Sequence, residues 1–301
     1  MADRRGASPL AIVLTLAAVL VVFIAGGWIA VSVMATLYAT PAADQAAPAT
    51  ASKVATTAPS APASAADATA SRAATAAAAA QATPGSASSR RTFVVVIDPG
   101  HQGRADNRQE PIGPGSTTSK PSVASGTEGV VTHNPENVIN LAVSLMLRDI
   151  LVTRPDLRIV MIRTTPNVDI PNSERAKIAA REHADLFIRV HCDGVNDPKV
   201  HGLLTMVPAE NKWTKPIFAA SAKAGRLVQD ATLAATGAKD RGILKVGNMS
   251  GFNWSTVPSV IVEMGVMTNV ADDHKLADPA YQRKLAAGMA RGVVEYVDSL
   301  R

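Results

Sequence analysis

The chain has 301 residues, a formal net charge of +5 at pH 7 and an aromatic content of only 4%. Its basic residues are scattered and lack the interleaved aromatic side chains that single-strand binding uses, which excludes nucleic acid as an expected partner. The positive charge suits an anionic polymer or a membrane surface equally well. The only cysteine, Cys192, excludes an internal disulfide bond.

The N-terminal apolar run is the first feature along the chain. Residues Pro9 to Leu37 carry no charge, and such a run exceeds the roughly 20 residues that span a bilayer and the roughly 7–15 of a signal-peptide core. Arg4 and Arg5 precede it, which predicts a cytoplasmic N-terminus and an outward-facing remainder. We therefore predict that residues 1–38 are a cytoplasmic end and a transmembrane signal anchor; cleavage would instead release a secreted protein.

Residues 39–90 differ sharply in composition from what precedes and follows them. They are rich in Ala, Thr, Ser and Pro and contain no aromatic residue. Such a segment buries too little apolar surface to offset its ordering entropy, so we predict a flexible, disordered linker. A flexible chain of this length has a root-mean-square reach of roughly 40 Å.

Apolar runs and helical periodicity alternate through the remaining residues, 91–301. The alternation favours an α/β fold, a single domain with a mostly parallel twisted sheet that helices cover on both faces. The patterns predict strands at 93–97, 158–162, 185–190, 201–207 and 257–262, and helices at 137–151, 172–183, 214–235 and 279–300.

Three of these strands end next to side chains that bind or work with a metal. His101, His191 and Glu263 follow the first, third and last predicted strands. The carboxyl ends of strands in an open α/β sheet line one crevice, so these side chains are expected to meet there as in a metal hydrolase. Cys192 directly follows His191, and we interpret it as a small buried side chain on the opposite face.

Five segments, in this order, resemble the zinc-dependent N-acetylmuramoyl-L-alanine amidases of the amidase-3 family. The resemblance runs from about Phe93 to the C-terminus. The segments are Val96-Ile-Asp-Pro-Gly-His-Gln-Gly103, Glu136-Asn-Val-Ile-Asn-Leu141, Ser173-Glu-Arg-Ala-Lys-Ile-Ala179, Ala184-Asp-Leu-Phe-Ile-Arg-Val-His191 and Pro258-Ser-Val-Ile-Val-Glu-Met-Gly-Val-Met-Thr-Asn269.

The resemblance implies a catalytic domain that hydrolyses peptidoglycan at the amide between N-acetylmuramic acid and the L-alanine of the stem peptide. It implies one Zn²⁺ held by His101, Glu136 and His191, with Glu263 as the catalytic carboxylate, and it assigns no substrate-binding residue. His133 or His201 is an alternative third ligand, because a glutamate in the first turn of a helix also suits the helix dipole.

The segment from Gln102 to Asn134 is rich in Gly, Pro, Ser and Thr, which predicts a long surface loop beside the site. It is similar to the extended loop of one subgroup of these amidases, which implies a flap that contacts substrate. Trp254 either packs on sugar or caps the core. The family commonly has a small residue and Asn after the site histidine, whereas Cys192 and Asp193 stand here, which leaves substrate preference open.

We therefore predict a membrane-tethered, single-pass, extracytoplasmic zinc amidase acting on the cell wall. A zinc peptidase or carboxypeptidase on stem peptides is the alternative enzyme, and a noncatalytic wall-binding module of the same fold is the alternative without catalysis. The sequence contains no separate wall-binding repeat, so targeting is expected to depend on the anchor or on a regulatory protein partner.

Overall fold

The computed structural model describes residues 91–301 and two short N-terminal strands, β1 (Val19–Val21) and β2 (Ala30–Ser32). These two strands pair antiparallel within the run for which the sequence predicts a transmembrane helix. The rest of that run and the predicted linker lie outside the described residues. In the part of the chain that is described, no helix is long and apolar enough to cross a membrane. The anchor and the boundaries at residues 38 and 90 stay predictions.

The domain is built on one six-stranded sheet. Its strand order is β6-β3-β7-β10-β8-β9, and β4 pairs antiparallel with β5 in a separate hairpin. The strands are β3 (Phe93–Pro99), β4 (Asp106–Pro111), β5 (Ser119–Val123), β6 (Leu157–Met161), β7 (Leu186–Asp193), β8 (Leu203–Pro208), β9 (Asp240–Val246) and β10 (Ser259–Val266).

The sheet is mostly parallel, which confirms the sequence prediction. Strand β3 runs parallel to β6 and β7, β7 runs parallel to β10, and β8 runs parallel to β9. Only the β10–β8 pairing is antiparallel among the main-sheet pairs. A mixed sheet of this kind carries a reversed segment at one side of an otherwise parallel array.

Helices cover both faces of the sheet, as predicted. They are α1 (Glu136–Leu151), α2 (Asn172–Arg181), α3 (Phe218–Thr236), α4 (Ser250–Asn253), α5 (Val270–Ala277) and α6 (Pro279–Asp298). Alternation along β3 separates the faces: Val95 and Ile97 join a large core with α1, α3 and α6, while Val96 joins a smaller core with α2.

The parallel strands bring three chain segments to one edge of the sheet. The register pairs Pro99 of β3 with Val190 of β7, and His191 of β7 with Glu263 of β10. Helix α1 starts at this edge, where the Glu136 N–H donates to the Thr127 carbonyl at 2.9 Å. Residues that are far apart in sequence therefore become neighbours at the carboxyl ends of β3, β7 and β10.

Within residues 91–301, five elements differ from the sequence prediction, the helices α4 and α5 and the strands β4, β5 and β9. The segment from Gln102 to Asn134 contains the β4–β5 hairpin, and β9 forms an edge strand that the patterns did not predict. Strand β4 reads Asp-Asn-Arg-Gln-Glu-Pro, which shows no alternation of apolar and polar residues. Its pairing with β5 and its position over α2 stabilise it, and neither is encoded by local periodicity.

Candidate active site

Two imidazoles and one carboxylate converge at this sheet edge. His101, Glu136 and His191 each offer one ligand atom, and these atoms all lie within 4.8 Å of one another. Glu136 is central: its Oε2 lies 3.1 Å from His101 Nε2, and its Oε1 lies 3.2 Å from His191 Nδ1. The arrangement is the three-residue set that the resemblance implied.

His101 is held in an unusual backbone conformation after β3. Its φ of 59° lies in the left-handed region that residues other than glycine seldom adopt. The Arg175 guanidinium donates to its carbonyl at 3.1 Å, and its Nδ1 lies 2.8 Å from the Ala124 carbonyl oxygen. Donation from Nδ1–H to that carbonyl fixes the ring with Nε2 towards Glu136, so the ring would present Nε2 to a metal bound there, as the outer partner of a metal-binding histidine ensures.

Glu136 is buried, and both oxygens of its carboxylate accept hydrogen bonds from neighbouring residues. Oε1 accepts hydrogen bonds from the side chain of Asn140 at 3.0 Å and the Cys192 N–H at 3.1 Å, while Oε2 accepts from the Thr127 N–H at 3.0 Å. Burial raises the pKa of Glu136, but hydrogen bonds with His101 and His191 outweigh burial and hold this pKa far below its usual value. The side chain is therefore an anion.

His191 lies near the carboxyl end of β7 and is the second imidazole of the cluster. Burial lowers its pKa to about 4, against the opposing effect of its hydrogen bond with Glu136. The ring packs directly on the backbone of Gly100, where an added Cβ would lie 2.6 Å from His191 Nδ1. Its Nε2 is buried without a hydrogen-bond partner among the described residues. The imidazole is thus neutral, the protonation state that binds a metal.

The residues present fit a divalent metal. Ligand atoms bound to a tetrahedral zinc at about 2.0–2.1 Å lie roughly 3.3–3.4 Å from one another. His101 Nε2 and His191 Nδ1 lie 3.1 and 3.2 Å from different oxygens of Glu136, and one ligand atom from each of the three residues lies within 4.8 Å of the others. Neutral imidazoles and an ionised carboxylate also form a common donor set for zinc in hydrolases.

Glu263 lies on β10 beside His191 of β7, to which it is paired in the parallel register. Its side chain is buried, and Oε2 has no hydrogen-bond partner in the described structure. Burial raises the pKa of Glu263 well above its ordinary value, and the carboxylates of Glu136 and Asp193 raise it further. A cation beside it would lower this pKa again, because an opposite charge favours the ionised form.

The other histidines lie outside the cluster. His133, one alternative third ligand, is 74% exposed and 4.0 Å from Glu128, and His201 does not join the ligand group formed by the described residues. His183 and His274 are exposed. Cys192 is buried in the large core and burial raises its pKa, so the thiol is neutral rather than nucleophilic.

A buried charge network supports the loop that carries His101, and sequence reasoning missed it. Asp98 accepts from Arg175 at 2.6 Å and from Arg189 at 2.7 Å. Arg163 donates to the carbonyls of Pro99 and Gly100, each at 2.9 Å. Asp98, Arg175 and Arg189 lie within the segments that carry the family resemblance, but only the fold shows that these distant positions contact one another.

The β4–β5 hairpin lines the cleft above the site. Lys120 and Pro121 at the start of β5, together with Val123 and Ala124 at its end, face a cavity that also contains His101, His191 and Glu263. Trp254 packs against the smaller core, its Nε1–H donating to the Pro111 carbonyl at 2.8 Å. The second of the two interpretations of Trp254, a cap on the core, is therefore correct.

Comparison with known sequences agrees with this geometry. The profile of the amidase-3 family, N-acetylmuramoyl-L-alanine amidase, matches residues 95–295. The chain belongs to this family. The match covers the main sheet and the whole cluster formed by His101, Glu136 and His191, together with Glu263. Zinc is characteristic of the family.

Individual relatives of the family cover the same part of the chain. N-acetylmuramoyl-L-alanine amidase Rv3717 of Mycobacterium tuberculosis is 29% identical over 68% of this chain and 86% of its own length. A cell wall amidase of Bacillus anthracis is 25% identical over 68% of this chain, which spans only 35% of that relative's length. The solved structure of Ami1 from Mycobacterium smegmatis is similar at 26% identity with a TM-score of 0.62, covering 70% of this chain and 99% of that structure.

Proposed function

We propose that this protein is a zinc-dependent amidase that hydrolyses the bond between the lactyl group of N-acetylmuramic acid and the L-alanine of the peptidoglycan stem peptide. The observation that carries the proposal is the convergence of His101, Glu136 and His191 within 4.8 Å, with Glu263 paired to His191 on the next strand. Membership of the amidase-3 family supports the choice of substrate.

In this proposal, His101, Glu136 and His191 hold one Zn²⁺. When bound, zinc polarises the scissile carbonyl and lowers the pKa of water towards about 7. Glu136 neutralises part of the cation's charge and orients both imidazoles through its two oxygens. The neutral imidazole of His191 and the fixed tautomer of His101 keep their lone pairs available for the ion.

Glu263 is the proposed proton carrier. Its Oε2 takes a proton from the attacking water and delivers that proton to the nitrogen of the leaving L-alanine. Burial and the absence of a hydrogen-bond partner for Oε2 among the described residues support this role, because no competing contact occupies the atom. The proton that Oε2 takes from the water is then available to the amide nitrogen as the C–N bond breaks.

We also propose that residues 1–38 anchor the protein in the cell membrane and that residues 39–90 let the catalytic domain reach the wall from outside. The uncharged run from Pro9 to Leu37 and the arginines before it support this placement. Fractionation of cells that express the full chain should recover it with membranes. Recovery in the soluble fraction at full length would refute the anchor.

Product analysis tests the proposed activity. The purified full chain, loaded with zinc, should convert a muramyl peptide into N-acetylmuramic acid with a free lactyl carboxylate and a peptide that begins with L-alanine. A zinc peptidase or carboxypeptidase would leave the lactyl amide intact and cut within the peptide. A wall-binding module would retain the substrate without releasing either product.

A further inference from the structure

The cavity beside the cluster has a cationic end that the proposed chemistry does not use. It has a volume of about 260 Å³, and its lining includes His101, His191 and Glu263 at one end. Arg189 and Lys120 also line it, accompanied by Asn172, Ser250 and Gly251. Two cationic side chains that line one small cavity repel each other, and an anion bound between them would relieve this repulsion.

Arg189 is a buried arginine with one donor group left over. Its side chain is only 4% exposed. Nε donates to Asp98 Oδ2 and Nη2 donates to Asn172 Oδ1, both at 2.7 Å. Nη1 has no hydrogen-bond partner among the described residues, and it lies so close to Gly251 that a Cβ there would collide with it and lie 2.8 Å from Cζ.

Lys120 enters the cavity from the hairpin. It is half-buried, and its Nζ donates to the Asn248 carbonyl at 3.2 Å. An ammonium has three donors, so donor capacity remains. Burial lowers the pKa of Lys120, the negative charge of Glu110 opposes this shift, and the positive charge of Arg189 adds to it. Ser250 adds a buried hydroxyl whose Oγ has no partner in the described structure.

The local carboxylates do not neutralise this end of the cavity. Asp98 is shared between Arg175 and Arg189. Glu110 is paired in register with Lys120, but its Oε2 accepts the Ser173 N–H at 3.0 Å, and no ion pair within 4.0 Å joins Lys120 to a carboxylate of the described residues. Glu263 also lines the cavity, but Asp98 is the only carboxylate of the described residues that forms an ion pair with Arg189 or Lys120, so both cations keep donors for an anionic ligand.

The position of Arg189 relative to the cluster defines which part of the substrate it meets. Arg189 and His191 are alternate residues of β7, so their side chains share a face about 6.4–6.8 Å apart along the strand. Two extended peptide residues span about 6.6–7.2 Å. A substrate group bound at Arg189 would therefore lie about two peptide residues along the substrate from a carbonyl bound at the cluster.

We infer that Arg189 and Lys120 form a subsite for the free carboxylate of the stem-peptide residue that follows L-alanine. The sugar side of the scissile bond, N-acetylated and joined through its lactyl group, has no anionic group, whereas the peptide side carries carboxylates. A planar carboxylate accepts from a guanidinium Nη1–H and an ammonium with charge-assisted hydrogen bonds. This inference rests on the proposed amidase function.

A pair of substrates tests the subsite with the full chain. The acid is N-acetylmuramoyl-L-alanyl-γ-D-glutamyl-L-alaninamide, whose only free carboxylate is the α-carboxylate of the second residue, and the carboxamide is its D-isoglutaminyl counterpart, which carries an α-carboxamide instead. We expect kcat/KM to be roughly tenfold or more higher for the acid, because the carboxamide loses the charge-assisted contacts. Lys120→Met should reduce this ratio severalfold, because cleavage of the acid slows more than cleavage of the carboxamide.

Gly251→Ala is the second variant, because the added methyl group displaces the Arg189 guanidinium without removing its charge. It should lower the same ratio. Lys223→Met, which removes an exposed lysine of α3, is the matched control and should leave the ratio unchanged. Equal kcat/KM values for the two substrates, or a ratio that both cavity variants preserve, would overturn the subsite. If neither substrate is cut at the lactyl amide, the proposed amidase function itself fails.

Discussion

At the scale of single residues, Glu136 and Glu263 are two buried carboxyls that the fold treats in opposite ways. Glu136 receives hydrogen bonds and lies between two imidazoles, which hold its pKa down. Glu263 has an oxygen without a partner among the described residues, and burial holds its pKa up. Carboxyls whose pKa values are pushed apart commonly divide the tasks of charge stabilisation and proton transfer.

We predict that Glu263→Gln keeps its zinc but loses activity. The amide preserves the size of the side chain and cannot carry the proton, so kcat should fall roughly 10²–10⁴-fold. Steady-state rates on a muramyl peptide and the zinc content of the same sample measure both quantities. Glu295→Gln, which changes an exposed glutamate of α6, is the matched control. Retention of full activity by Glu263→Gln would remove this residue from the mechanism.

Sequence reasoning could find part of this site and not the rest. His101, His191 and Glu263 each follow a strand that apolar runs predict, and parallel strands bring their ends together. Glu136 follows no strand, so its assignment needed the family resemblance; its place at the cluster depends on how α1 packs. The contacts of Asp98 with Arg175 and Arg189 join positions 77 and 91 residues apart, which no local pattern reveals.

At the scale of elements, the turn after β3 packs directly against the end of β7, with the backbone of Gly100 in contact with the ring of His191. Gly100 gives His191 its place, since no side chain fits between the turn and the ring. Continuous apolar runs predicted β3, β7 and β10, because these strands are buried on both faces. Such runs missed β4, whose polar sequence is stabilised by pairing, and β9, an edge strand without a fully buried residue.

Gly100→Ala should therefore disrupt the cluster without removing a ligand. The added Cβ would lie 2.6 Å from His191 Nδ1, so the ring must move away from Glu136. We expect zinc affinity to fall at least tenfold, a loss typical of changes that misorient a ligand. Zinc titration of the purified variant measures this, and Gly247→Ala, where an added Cβ would lie at an ordinary contact distance of 3.7 Å from the Ala209 Cβ, is a control for substitution at a glycine. Unchanged zinc affinity in Gly100→Ala would mean that the ring tolerates the shift.

The ion pairs beneath the turn predict how the stability of the domain depends on pH. Burial raises the pKa of Asp98, but the charges of Arg175 and Arg189 outweigh burial and lower it to about 2. Because the pKa in the unfolded chain is about 3.9, the ion pairs contribute roughly 2 kcal/mol above pH 4. This contribution is lost as pH falls from about 4 to about 2.

Urea unfolding between pH 2 and pH 5 measures this dependence. The free energy of unfolding of the unmodified chain should fall more steeply with decreasing pH than that of Asp98→Asn, because the amide does not titrate. The variant should also be less stable at neutral pH, since it leaves two buried guanidiniums without their anion. Parallel curves for the two proteins would show that Asp98 does not supply this pH dependence.

At the scale of the whole molecule, the chain combines the fold of its family with one proposed metal centre at the edge of the sheet. The α/β architecture, the parallel sheet and the helices on both faces follow from alternating patterns in residues 91–301. The membrane anchor and linker are read from composition alone and stay predictions. The centre formed by His101, Glu136 and His191 is the feature on which both the proposed reaction and the carboxylate subsite depend.

Zinc content tests that centre most directly. Elemental analysis of the dialysed full chain should find one zinc ion per molecule, and His191→Ala should lose it because one of the three proposed ligands is removed. His133→Ala removes an exposed histidine outside the cluster and should keep one zinc ion. An equal zinc content in all three proteins, or none in the unmodified chain, would contradict the account.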